Sequence, residues 1–365
     1  MKQEIMKQEL ETQETVKQEI MNKEMSKKNN QLNSFTTKDI ARDYLFDNLK
    51  AILIILVVWG HILTSMKEEH VIIKSIYIFL FFFHMPAMVF ISGYFSKKLE
   101  KIRNNAFVTI LIPYLILNSV NYVFKIFILK EEFYAFRFFN PNWGLWYLLT
   151  LFLWKFFLKD FIKIRLLLPL SLIVALVSGF SNEFSEYMAL GRFVCFLPFF
   201  LAGYYCTGEH VARIRRFPKQ YSVFLFVSAV IWSLYTATKD IFDTEILFLR
   251  SYYPMGEEIK TMLFRLIVYI VAYGMIFVLL NLVTTGKTLL TGIGASTITV
   301  YVLHIFTIPL LEKMKLFANQ PINYLIYSVL MTALITYIYS RPIVKRVYNV
   351  GMDKLTGLFI KKEKL

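Results

Sequence analysis

Charge and cysteine are what this chain has little of. Asp, Glu, Lys and Arg make up 18% of its 365 residues, against about a quarter in an ordinary soluble domain. So few charges exclude a conventional solvated surface over most of the chain. The two cysteines, Cys195 and Cys206, form no CxxC pair and show neither zinc spacing nor a secreted disulfide framework. Both read as buried thiols, and no metal is expected. The first residues lack the apolar core of a secretory signal. They repeat Lys-Gln-Glu at 2–4, 7–9 and 17–19, a spacing of five and then ten that does not fit the heptad of a coiled coil. Residues 1–40 are expected to form a polar, disordered cytoplasmic tail.

What is present is apolar. The chain is 56% hydrophobic, with 35 Phe and 22 Tyr, and its apolar residues gather in blocks of roughly 17–24, the length that crosses a bilayer as helix. About ten such blocks stand out, near 45–66, 72–95, 106–129, 144–158, 166–180, 193–207, 221–238, 262–283, 295–312 and 321–340. The expected fold is all-α: a polytopic membrane protein with about ten transmembrane helices. Residues 41–345 form its single membrane domain, and 346–365 a basic C-terminal tail.

The formal charge of +15 does not point to nucleic acid, because Lys and Arg sit mostly in short loops. They are dense in alternate loops (Lys97, Lys98, Lys101 and Arg103; Lys155, Lys159, Lys163 and Arg165; Arg213, Arg215, Arg216 and Lys219) and again at the C-terminus. The positive-inside rule then places both termini in the cytoplasm.

Ionisable residues at membrane depth are costly and mark interior or functional positions. His61 lies deep in "LKAILIILVVWGHILTS", His84 in "FFFHMPAMVF" and His304 in "YVLHIF". Lys50 precedes His61 by eleven residues, close to three helical turns, so the two share a face about 16 Å apart. Asp47, one turn earlier, shares that face too. Lys50 is too far from His61 to touch it. Two such stations suit the ends of one long ligand with an anionic head and a reactive tip, such as an acyl-coenzyme A. Lys50 also fits the plainer role of a lysine snorkelling at the inner end of its span.

"DNLKAILIILVVWGHI" resembles the first-helix signature of the membrane acyltransferase-3 family: a basic residue, ten residues, then histidine. "FFFHMPAMVFISGYFSKK", "ILIPYLILN", "WGLWYLLTLFLW", "GRFVCFLPFFLAGYY" and "STITVYVLHIF" resemble further family motifs in family order. The resemblance spans residues 42–341 and is nearest to the fucose 4-O-acetylase-like group. It implies a bacterial cytoplasmic-membrane enzyme that moves an acyl group, commonly acetyl, from cytoplasmic acetyl-CoA to a hydroxyl of a surface or lipid-linked glycan. Lys50 then matches the signature's basic residue, although as Lys it lacks the bidentate fork of Arg.

The roles implied are His61 as general base or acyl carrier, Asp47 as the residue orienting Lys50, and Lys50 on the donor's phosphates. Candidate acceptor-side residues are His84, Ser92, Trp143, Trp146, Arg192, Arg265 and His304, with Tyr147 beside the tryptophans. Trp143, Trp146, Arg192 and Arg265 fall near the outer boundary, where aromatic residues also serve as interfacial anchors. Two other readings are open: a transporter or flippase of a lipid-linked sugar, and an acyltransferase acting on a cytoplasmic small molecule.

Overall fold

The computed structural model describes residues 43–131, 140–181, 187–249, 253–317 and 319–360; the expected tail at 1–40 lies outside them. All regular structure among the described residues is helical. The membrane unit begins with α1 (Leu45–Leu63), whose Asp47 lies in the first turn, where the helix dipole favours an anion. Next is α2 (Val71–Tyr94), capped by the His70 ring accepting from the Ile72 N–H at 3.2 Å. Helices α3 (Leu99–Ala106) and α4 (Ile112–Phe127) are joined by a π-turn at Phe107–Leu111. That turn absorbs Pro113, which has no N–H to offer an α-helical ladder.

There follow α5 (Trp146–Phe161), α6 (Leu167–Val177), α7 (Leu190–Tyr205), α8 (Gly208–Arg216), α9 (Lys219–Lys239) and α10 (Glu258–Leu282). The chain ends with α11 (Thr291–Gly294), α12 (Thr297–Lys313), α13 (Pro321–Tyr339) and α14 (Pro342–Phe359). The basic C-terminal segment is thus helical up to Phe359.

Among the described residues, seven helices are long and apolar enough to cross a membrane: Leu45–Met66, α2, Leu99–Phe127, Tyr187–Tyr205, α9, α10 and α13. The other three expected spans correspond to α5, α6 and α12, of 16, 11 and 17 residues. At 1.5 Å per residue these reach roughly 24, 16 and 26 Å, short of the ~30 Å hydrocarbon core. The apolar run expected at 144–158 begins in the turn Trp143–Leu145, and its helix runs on to Phe161.

Helix α2 is the centre of the unit, packed on α1, α7, α9 and α10. Its tightest neighbour is α7. A Cβ added to Gly93 would overlap the Phe200 carbonyl, and one added to Gly203 would overlap that of Phe90. The two glycines let these backbones touch, the packing that small residues permit in membranes. Helices α2, α7 and α12 each carry an internal proline, Pro86, Pro198 and Pro309. A missing N–H is tolerated where neighbouring helices enclose the freed carbonyl. These same helices, with α1, bring the polar residues together.

Candidate active site

His61 sits in the last turn of α1, and His84 and His304 sit mid-helix in α2 and α12. Because α1 packs against both α2 and α12, His61 and His84 line one small cavity, and His304 adjoins it through the His61 ring. His61 and His304 lie ring on ring, centroids 5.4 Å apart. Phe81 presents its edge to both His61, at 6.1 Å, and His84, at 4.6 Å. The space open to water-sized molecules is about 90 Å³, bounded also by Thr64, Trp146, Arg192, Phe196 and Tyr301. Leu247 and Phe248, from the turn Thr244–Phe248, also line it.

Two of the histidines have assignable tautomers. His84 Nδ1 lies 2.6 Å from the Leu80 carbonyl, and His304 Nδ1 lies 3.1 Å from that of Val300. A carbonyl oxygen only accepts, so each Nδ1 must carry the hydrogen. In the neutral rings, Nε2 is then a lone-pair acceptor. Both rings are wholly buried, while His61 is only partly covered and faces the cavity.

The wall opposite α1 is aromatic. The Arg192 guanidinium rests over the Trp146 ring at 4.9 Å, a cation–π contact, and its charge acts on both His61 and Tyr301. Trp146 in turn packs on Phe196 at 5.0 Å. Ser92 meets the Tyr147 hydroxyl at 2.6 Å, and the Tyr147 ring lies 5.6 Å from Tyr301. The Tyr301 ring lies 5.7 Å from His304, and its hydroxyl donates to the Gly144 carbonyl. This chain of contacts fixes the turn before α5 against α12. Of the sequence candidates, His61, His84, Trp146 and Arg192 therefore share one cavity, His304 adjoins it by stacking on His61, and Ser92 joins it through Tyr147. The Trp143 side chain lies outside the described residues. Tyr301 was not anticipated, although its place one turn before His304 was a signal.

Arg265 is elsewhere. It is 1% exposed, donates to the Ala175 carbonyl at 3.1 Å and Cys195 Sγ at 3.5 Å, and lies over the Tyr253 ring. It ties α10 to α6 and α7, and both cysteines are buried and free.

At the other end of α1, Lys50 pairs with Asp47 at 2.8 Å, both side chains partly buried. Asn48, unnoticed in the sequence, holds this end in place. Its Nδ2 donates to the carbonyls of Thr284 and Gly286, and its Oδ1 accepts from the Thr288 and Thr291 hydroxyls. Gly294 then packs directly on the Asp47 backbone. Lys50 stands 5.9 Å from the Phe95 ring, and Phe95 is also on the rim of an open basin of about 710 Å³. Lys97, Lys98, Lys101 and Lys155 line that basin together with Tyr94 and Thr207. Burial pushes the Lys97 ammonium below the ordinary lysine range, and Lys97 donates to the Cys206 carbonyl at 2.8 Å.

Taken chemically, one end of α1 carries a basin of cations and aromatic rings, and the other a cluster of imidazoles with an arginine. Among the described residues no group of three or more His, Cys, Asp or Glu is placed to hold a metal ion. Fold and site define a multi-pass membrane protein whose deepest polar groups are suited to proton and group transfer. Residues 43–340 match the family model described as an acyltransferase domain. The chain belongs to that acyltransferase-3 family and is an acyltransferase. No curated protein and no solved structure matches it.

Proposed function

We propose that this membrane acyltransferase moves an acetyl group from cytoplasmic acetyl-CoA to a hydroxyl of a surface or lipid-linked glycan, as the fucose 4-O-acetylase-like members of the family would. The observation that carries this reading is the division of α1 into two stations. Lys50 and the lysine basin stand at one end, and His61 with its cavity stands about 16 Å away on the same helix. A donor with a phosphate-rich head and a thioester tip matches both. The Lys50 end is the cytoplasmic one, because Lys97, Lys98 and Lys101 gather there. Lys345 supports that side too, donating to the Ala295 carbonyl close to Gly294 and Asp47.

On this reading Lys50, steadied by Asp47, meets the donor's phosphates as a point charge. The basin takes the nucleotide, and its volume falls within the range of ordinary ligand sites. His61 is the essential group at the thioester end. The imidazole cavity holds a carbonyl and a hydroxyl but is too small for a whole lipid-linked sugar in transit, which favours group transfer over flipping.

The test is incorporation of radiolabelled acetyl from acetyl-CoA into membranes containing the full-length protein, with His61→Ala as comparison. Mass spectrometry of surface glycans from a deletion strain identifies the acceptor by its lost acetyl mass. Near-normal incorporation by His61→Ala would sink the assignment of His61.

A further inference from the structure

The acceptor hydroxyl has to lose a proton somewhere, and the cavity offers several nitrogens. His84, unlike the equally buried His304, lines the cavity, and three observations bear on its role. Its ring is fully buried. Its Nδ1–H is committed to the Leu80 carbonyl at 2.6 Å, so its tautomer is set by its own helix. Its Nε2 has no hydrogen-bond partner among the described residues, yet His84 is part of the cavity wall beside His61. A buried acceptor nitrogen left unmatched forfeits the hydrogen bond it would have made to water. Native interiors rarely leave such an atom so unless it serves a ligand or a reaction. His61 is placed differently, stacked on His304 along the seam between α1 and α12.

We propose that His84 Nε2 is the base that takes the proton from the acceptor hydroxyl, leaving His61 on the acyl side of the same cavity. This rests on the acyl-transfer reading given above. The acceptor O–H bond breaks and its proton goes to Nε2 of His84. The oxygen forms its bond to the thioester carbonyl carbon. The C–S bond breaks, and the departing thiolate takes the proton back from Nε2. The products are the ester and the free thiol of the donor, and His84 returns to its starting tautomer. While His84 is charged, Nδ1–H still donates to Leu80, now as the stronger, charge-assisted bond. Arg192 is the one charged side chain among the described residues of the lining, and as a cation it favours negative charge developing on the carbonyl oxygen.

The experiment uses the full-length protein in membranes that contain its native acceptor, with acetyl-CoA as donor, over roughly pH 3.5 to 9. His84→Gln keeps an acceptor atom near Nε2 but cannot take a proton. It is expected to bind acetyl-CoA within about threefold of wild type, which shows that it folds, and to lose about 10²–10⁴ in kcat. Its acid limb in the kcat–pH profile should flatten, and added imidazole should return part of the activity of His84→Ala. A His84→Gln protein with more than a tenth of wild-type kcat and an unchanged acid limb would overturn the assignment, since a packing role moves neither. Failure of the wild type itself to bind or use acetyl-CoA would overturn the functional reading beneath it, and is distinguishable on that ground.

Discussion

His61 and His304 face each other with their rings 26° from parallel and 5.4 Å between centroids, so the last turn of α1 is keyed to the middle of α12. Replacing His304 by Phe keeps a flat ring for His61 to pack on and removes the nitrogens. We expect His304→Phe to fold and to lose at least about tenfold in acetyl transfer, against about 10²–10⁴ for His61→Ala. Parallel radiolabel assays on matched amounts of membrane protein decide it. Equal and negligible losses would remove both residues from the reaction.

The Lys50 end is expected to govern donor affinity rather than the chemical step. Lys50→Glu should raise KM for acetyl-CoA at least about tenfold with a smaller effect on kcat. Lys50→Arg should stay within a few-fold, and Asp47→Asn should fall between. Because this end meets solvent, raising salt from about 0.05 to 0.5 M should also weaken the donor, as screening requires. An unchanged KM in Lys50→Glu would separate the lysine from the donor.

Asn48→Ala strips four hydrogen bonds from the segment 284–291. The expected loss is about 1–3 kcal/mol, seen as a lower midpoint in detergent-solubilised thermal unfolding. It should come with a raised KM for acetyl-CoA, since the same segment sets the position of Asp47 and Lys50. Loss of stability with an unaltered KM would show that the anchor serves folding alone.

Close helix contact makes a separate prediction. Gly93→Ala and Gly203→Ala each force a methyl group into a carbonyl of the facing helix, so each should cost about 1–3 kcal/mol or more. Gly274→Ala, where nothing lies within 4 Å of the added carbon, should be harmless. Size-exclusion traces after heating compare the three directly.

Hydropathy made most of the fold legible, because a block of 20 or more apolar residues has few fates other than a membrane helix. It was less reliable for α5, α6 and α12, where apolar residues continue into turns and the helix itself stops short. The site was legible in part. Lys50 and His61 share one helix, so their relation follows from 3.6 residues per turn. That His84 and His304 meet His61 depends on which helices are neighbours, which no local pattern records. Arg192 and Arg265 look alike in sequence, each a lone cation in an apolar run, yet one faces the cavity and the other holds the Ala175 carbonyl. Asn48 went unnoticed because a single Asn near a helix start resembles a cap, and its partners lie more than 230 residues away.

The small space of about 90 Å³ that Leu247 and Phe248 help to line bears on a competition that every acyl transfer faces. Hydrolysis of the thioester uses the same carbonyl, and bulk water is by far the most abundant nucleophile. A chamber with room for only a few small molecules, lined in part by two apolar side chains, holds that competitor to a handful of copies. On the proposed function, selection of an acceptor hydroxyl over water then requires little recognition of the difference in their chemistry. It follows from how few water molecules so small a space can hold.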